Sequence, residues 1–190
     1  MKTADFYETE RGRVFFDAVC AACPFPAGSS VLVAGFAVPY EKRWTVTACP
    51  TLACTDFLSF APMSFQRILA VHALEYVPDP DFLLKELKKA LAPEGILVAV
   101  TPRRQNDFLP FQSLFSAPEI ARELKAQGLD VRRQKEILFD AVRDRLPFGR
   151  GGRFVVTTAQ RDPASPVLSG RSRPTPRVMT SASMASFPRR

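Results

Sequence analysis

Short, almost wholly apolar runs recur along the chain, and their lengths predict buried strands. They span residues 30–34, 67–71 and 96–100, and a fourth run of similar length covers residues 44–48. Strands that are apolar throughout are typical of parallel sheets that are covered on both faces. The runs therefore predict four parallel strands in one α/β sheet.

A second pattern, with apolar residues every three or four positions, predicts amphipathic helices. It covers three segments, residues 9–23, 82–91 and about 116–127. Either Asp79 or Asp81 can cap the second helix, and Pro93 and Gly95 are expected to stop it. Ser116 is predicted as the N-cap of the third helix.

Two further strands, at 134–139 and 153–159, follow the third helix and are expected to form an antiparallel pair. Beyond residue 160 the chain becomes rich in proline, serine and arginine and loses its periodicity. Such a segment cannot bury enough apolar surface to offset its ordering entropy. We therefore predict a folded domain at 1–160 and a disordered tail at 161–190, which is either dispensable or contacts RNA, membrane or a partner through its arginines.

The net charge of +7 is concentrated in the predicted tail. Residues 162–190 hold five arginines and one aspartate, a net charge of +4, which leaves +3 for residues 1–161. The charge of the domain thus gives no reason to expect nucleic-acid binding. Because the N-terminus is charged and no apolar run reaches the roughly 18 residues that a membrane span needs, we expect a cytoplasmic protein.

The four cysteines could indicate metal or redox chemistry, because Cys20 and Cys23 form a C-x-x-C motif. The other two, Cys49 and Cys54, have a different spacing, and His72 is the only histidine in the chain. Cys20 also falls on the apolar face of the first predicted helix. Buried, metal-free thiols are therefore the prediction, with a zinc site or a redox pair as the alternatives.

The sequence LSFAPMSFQRILAVHALEYVPDP, followed by FLLKELKKALAPEGILVAV, resembles the second half of class I S-adenosylmethionine-dependent methyltransferases. Ser59 and Glu94 stand where that family has a proline and a glycine. The resemblance implies a Rossmann-like fold, with a mostly parallel sheet closed by an antiparallel pair. It also implies S-adenosylmethionine as the cofactor.

In that family a glycine-rich loop after the first strand approaches the cofactor, because glycine lets the backbone come close. The corresponding segment here offers Ala34, Gly35, Phe36 and Ala37 as candidate cofactor-binding residues. Asp56 is a further candidate near the adenine position, or else a solvated loop residue.

Two features of the first crossover differ from the family pattern. The second predicted strand ends in Thr47-Ala-Cys-Pro50, without the carboxylate that usually binds the ribose hydroxyls. Only eight residues, 36–43, join the first two strands, whereas a helical crossover needs about a dozen or more. We therefore expect a trimmed first crossover.

His72 and Glu75 follow the strand at 67–71, at the edge of the sheet where ligands collect in α/β folds. They are the candidate catalytic residues, with a capped, hydrogen-bonded structural histidine as the alternative to a catalytic His72. Two functions follow: a methyltransferase whose acceptor is a small molecule or a protein, or a cofactor-free descendant that acts as a binding or assembly subunit with a protein partner. Fold alone does not decide between them.

Overall fold

A six-stranded sheet with helices on both faces makes up the part of the chain that the structure describes. The structure is a computed structural model, and it describes residues 10–35, 44–49, 60–75, 77–102, 115–138 and 153–162. The elements are α1 (Glu10–Ala22), β1 (Ser30–Gly35), β2 (Thr45–Cys49), β3 (Phe65–Val71), α2 (Pro80–Ala90), β4 (Leu91–Pro102), α3 (Ala117–Ala126), β5 (Leu129–Leu138) and β6 (Arg153–Arg161).

The strand order across the sheet is β2-β1-β3-β4-β6-β5. Strands β2, β1, β3 and β4 pair in parallel, and β6 pairs antiparallel with both β4 and β5. Val31 lies beside Arg67, so the apolar runs at 30–34 and 67–71 share one sheet, as predicted. The predicted α/β class, with a parallel part closed by an antiparallel pair, is confirmed.

Each face of the sheet has its own apolar core. Helix α1 packs on one face through Phe15, Phe16 and Val19, against residues that include Val33, Val98 and Phe154. On the other face α2 and α3 contribute the following buried residues: Leu83, Leu84, Leu87, Ile120 and Leu124. The two-sided burial explains why the parallel strands are apolar at nearly every position.

Helix α2 begins as predicted and ends within one residue of its predicted end, but the strand that follows begins earlier than predicted. The Asp79 carboxylate accepts the N–H of Phe82 at 3.0 Å, which is an N-cap hydrogen bond. The helix ends at Ala90, and β4 begins at Leu91 with no separate turn. Pro93 and Gly95 therefore lie inside β4. The pairing of β4 with β3 is irregular at this point. Phe65 pairs with Leu91 and Arg67 with Ile96, so the register shifts across the segment that contains Pro93 and Gly95.

Helix α3 has the predicted start, since both the backbone N–H and the hydroxyl of Ser116 donate to the Glu119 carboxylate, at 2.7 and 2.8 Å. Strand β5 begins at Leu129, five residues before the predicted position. It is an edge strand whose side chains from Arg132 to Glu136 are exposed, so apolar periodicity does not reveal it.

Strand β6 extends to Arg161, one residue beyond the predicted end of the domain. The Arg161 side chain is buried, and its guanidinium donates to the carbonyl oxygens of Lys88, at 3.3 Å, and Leu91. It thus satisfies backbone acceptors at the carboxyl end of α2. The tail lies almost entirely outside the described residues, and its disorder stays a prediction.

Candidate functional site at the carboxyl edge of β1 and β3

The candidate residues that the structure describes meet where β1 and β3 end. Gly35, the last residue of β1, pairs with Val71, the last residue of β3, and His72 follows directly. Glu75 lies three residues further along the same loop. They meet because β1 and β3 are neighbouring parallel strands, whose carboxyl ends share one edge of the sheet.

Gly35 is required by the neighbouring strand. Its φ is +108°, and a Cβ added to it would overlap the carbonyl oxygen of Val71 and lie 3.0 Å from the carbonyl carbon. It would also lie 3.4 Å from the Cβ of Ala73. The space that the missing side chain leaves is therefore filled by the chain after β3, which accounts for the glycine without any ligand.

Ala34 is fully buried in the core on the α2 face, so only its backbone could contact a ligand at this edge. Phe36, Ala37 and Asp56 lie outside the described residues, as do the crossover 36–43 and the segment after Cys49. The predictions for those residues stand as predictions.

His72 is held in a left-handed backbone conformation, with φ of +49°, which is uncommon for a residue with a side chain. Its backbone N–H donates to the carbonyl oxygen of Val100 at 3.0 Å. Its ring stacks on Phe15, with centroids 6.4 Å apart and planes 11° apart, and also contacts Phe154 at 5.5 Å. Only 1% of the residue is exposed, so the imidazole lies inside an aromatic cluster.

Glu75 is fully buried, and its Oε1 lies 3.9 Å from Nδ1 of His72. Neither carboxylate oxygen has a hydrogen bond of normal length to the described residues. Burial raises the pKa of Glu75 above its ordinary value, and the neighbouring imidazole lowers it by less. A buried carboxyl with a raised pKa, next to a histidine, can hold or accept a proton.

Of the described candidate residues, Glu75 suits S-adenosylmethionine and Gly35 does not. Gly35 provides no cradle, because Val71 occupies the space beside it. Glu75 does fit, since a buried carboxylate without a hydrogen bond of normal length to the described residues suits a ligand with cationic groups. The cofactor carries two such groups, a sulfonium and an ammonium. If the cofactor binds here, Glu75 and the backbone at Ala34–Gly35 are the described groups that would hold it.

Two aromatic residues of the site were missed by sequence reasoning. Phe15 was predicted only as part of the apolar face of α1, and Phe154 only as part of a strand. Both contact His72, from segments far away in sequence. No local pattern signals such a contact, because it depends on how α1 and β6 pack on the sheet.

The cysteine motif lies away from this edge, at the carboxyl end of α1. Cys20 and Cys23 are both buried, as predicted. That they hold no metal stays a prediction. Within the ranges that the structure describes, no group of three or more potential ligands could hold a metal ion. No helix in those ranges is long and apolar enough to cross a membrane.

Comparison with known proteins gives a sequence family for part of the chain. Residues 40–99 match the family described as the methyltransferase domain, which is less than half of the chain. The match covers β3, α2 and most of β4, the unit in which the resemblance was recognised. No curated protein matches the chain in sequence.

Several solved structures share the fold. One is the Haloferax volcanii complex between the Trm112 methyltransferase activator and a putative methyltransferase, with a TM-score of 0.55, 15% identity and coverage of 84% of this chain and 97% of that one. Another is an S-adenosylmethionine-dependent methyltransferase from Mesorhizobium loti, with a TM-score of 0.53, 17% identity and coverage of 77% and 97%.

The cyclase SpnF is also similar, with a TM-score of 0.56, 13% identity and coverage of 80% and 82%. At these identities the likeness concerns the fold, which is known to serve different reactions. The chain therefore shares the Rossmann-like sheet architecture of these structures, and residues 40–99 match the sequence pattern of a methyltransferase domain.

Proposed function

We propose that this protein binds S-adenosylmethionine at the carboxyl edge of β1 and β3 and transfers its methyl group to a small molecule or a protein. The observation that carries the proposal is the buried Glu75 carboxyl, with its raised pKa, beside His72 at the edge where α/β folds bind their ligands. The methyltransferase-domain match over 40–99 supports the choice of cofactor.

In this proposal each described residue has a limited role. The cofactor, when bound, supplies the methyl group. The proton that the acceptor loses passes to the pair formed by His72 and Glu75, whose Nδ1 and Oε1 atoms lie 3.9 Å apart. The apolar surroundings strengthen the interaction within this pair by excluding water.

Access is the main requirement that the proposal places on the site. His72 is 1% exposed and Glu75 is fully buried, so an acceptor reaches them only after the surrounding chain moves. Movements of loops that complete or expose a site are common in enzymes. The proposal therefore expects cofactor or acceptor binding to change the environment of His72.

The test is calorimetric titration of the full chain with S-adenosylmethionine, for the wild type and for Glu75→Gln. This substitution keeps the shape of the side chain and removes its charge. Glu94→Gln, at an exposed residue, is the matched control. Binding by the wild type and the control, weakened at least about tenfold in Glu75→Gln by the loss of a charged partner, supports the proposal. No heat at millimolar cofactor overturns it.

The second candidate is a non-catalytic subunit that acts through a protein partner. Two observations favour it. The end of the second strand, Thr47-Ala-Cys-Pro50, has no carboxylate for the ribose, and one similar structure is a complex with a methyltransferase activator. Absence of cofactor binding, together with a stoichiometric partner that stays with the full chain through purification, would support this function instead.

A further inference from the structure

We propose that Phe15 of α1 and Phe154 of β6 are positioning residues for His72, which fix its imidazole so that Nδ1 stays beside the Glu75 carboxylate. The inference rests on the proposed function for its purpose, since it concerns the proton-holding pair of that site. The observations behind it are the positions of the His72, Glu75, Phe15 and Phe154 side chains, which do not depend on a bound cofactor.

The backbone of His72 is the first part to be fixed. Its left-handed conformation, with φ of +49°, is sparsely populated for residues with side chains and persists only where the surroundings impose it. The hydrogen bond from its N–H to the carbonyl oxygen of Val100, at 3.0 Å, is one such restraint. This bond places the Cα of His72 at the end of β3, next to β4.

The ring needs a separate restraint, because the second side-chain torsion of histidine has a broad, roughly twofold preference. A rotation of less than half a turn about that torsion tilts the ring plane and moves Nδ1 away from the Glu75 carboxylate. Phe15 lies nearly parallel to the imidazole, at 11°, and Phe154 lies at 55° to it. The two phenyl rings also contact each other, with centroids 4.6 Å apart, so they form one surface against the imidazole.

A fixed ring gives the two nitrogens different roles. The group that contacts one nitrogen decides which of the two carries the proton. Because Glu75 lies 3.9 Å from Nδ1, its carboxylate favours the tautomer with the proton on Nδ1. The other nitrogen, Nε2, is then the basic one. Loss of either phenyl ring should release the imidazole and mix the two tautomers.

The neighbouring residue Phe16 provides a matched control on the same helix. It is 3% exposed and belongs to the same apolar cluster as Phe15 and Phe154. Among the ring contacts of the described residues, none joins Phe16 to His72. Phe16→Leu should therefore lose core packing much as Phe15→Leu does, without releasing the imidazole.

The test uses ¹⁵N spectra of the imidazole in the full chain, without cofactor. His72 is the only histidine, so every imidazole signal reports on it. We expect one dominant tautomer in the wild type and in Phe16→Leu. In Phe15→Leu, and independently in Phe154→Leu, the second tautomer should rise roughly two- to tenfold, the range that corresponds to one lost aromatic contact.

Two outcomes would overturn the proposal. One is the wild-type tautomer in both Phe15→Leu and Phe154→Leu, in samples whose circular dichroism shows that they are folded. The other is an equal rise of the second tautomer in Phe16→Leu, which would show that any loss of core packing has this effect. A failure to bind S-adenosylmethionine would refute the proposed function but leave these spectra unchanged. The proposed function and the positioning role of the two phenylalanines can therefore be refuted independently.

Discussion

The backbone of Gly35 passes so close to the carbonyl oxygen of Val71 that no side-chain carbon fits between them. We predict that Gly35→Ala lowers the free energy of unfolding by roughly 2–4 kcal/mol, from positive-φ strain and overpacking together. Urea denaturation measures this change.

Gly28 gives a control for the backbone part of that effect. Its φ is +79°, but nothing lies within 4 Å of an added Cβ. Gly28→Ala should therefore cost only the conformational strain, about 1–2 kcal/mol. Equal losses in the two variants would show that the contact with Val71 does not matter. Gly35→Val would likewise overlap Val71 and disturb the pairing of β1 with β3. A loss of cofactor binding in that variant would therefore not locate the cofactor site.

Stability should depend on the protonation of Glu75. Because burial raises the pKa of this carboxyl in the folded state, the folded protein favours the neutral form. This contribution to stability is fully present below the unfolded pKa and is lost as pH rises through the folded pKa. Glu75→Gln cannot ionise and should remove this loss, so its stability relative to the wild type should increase as pH rises from 4 to 8.

Thermal unfolding from pH 4 to pH 8 tests the expectation for Glu75. Glu94→Gln, at an exposed position, should follow the wild-type curve. If the Glu75→Gln curve is parallel to that of the wild type across the whole range, then Glu75 does not carry the pH dependence.

The affinity for S-adenosylmethionine should be low. The strand end that would supply a ribose carboxylate reads Thr47-Ala-Cys-Pro50, and a charge-assisted hydrogen bond contributes roughly 1.5–3 kcal/mol. We therefore expect a dissociation constant at least about tenfold higher than in family members that have the carboxylate. Calorimetry beside one such enzyme checks this, and equal affinity would refute the idea of a degenerate site.

Arg161 should be a strong contributor to stability, although it is a charged residue near the end of the described chain. Arg161→Met keeps the apolar stem but leaves the carbonyl oxygens of Lys88 and Leu91 without this donor. A loss of about 1–3 kcal/mol is expected from urea denaturation. Arg132→Met removes a guanidinium that is 60% exposed and paired with Asp130, and it should cost about 1 kcal/mol or less.

The sequence predicted strands correctly where both faces of the strand are buried, because the apolar run is then visible in the sequence itself. The runs at 30–34, 67–71 and 96–100 are apolar because both faces are covered, so the run itself defines the strand. The start of β5 was missed because its side chains from Arg132 to Glu136 are exposed and polar, four of the five being charged. The aromatic enclosure of His72 and the burial of Arg161 were also missed, since each joins segments that are distant in sequence.

The place of β6 in the sheet has a consequence for the order of folding. In the described sheet β6 lies between β4 and β5, yet it is synthesised after both. Until it arrives, β4 has no neighbour on that side, β5 has none at all among the described strands, and Arg161 cannot reach the end of α2. Insertion of β6 is therefore the step that completes the sheet, and such long-range pairing folds slowly.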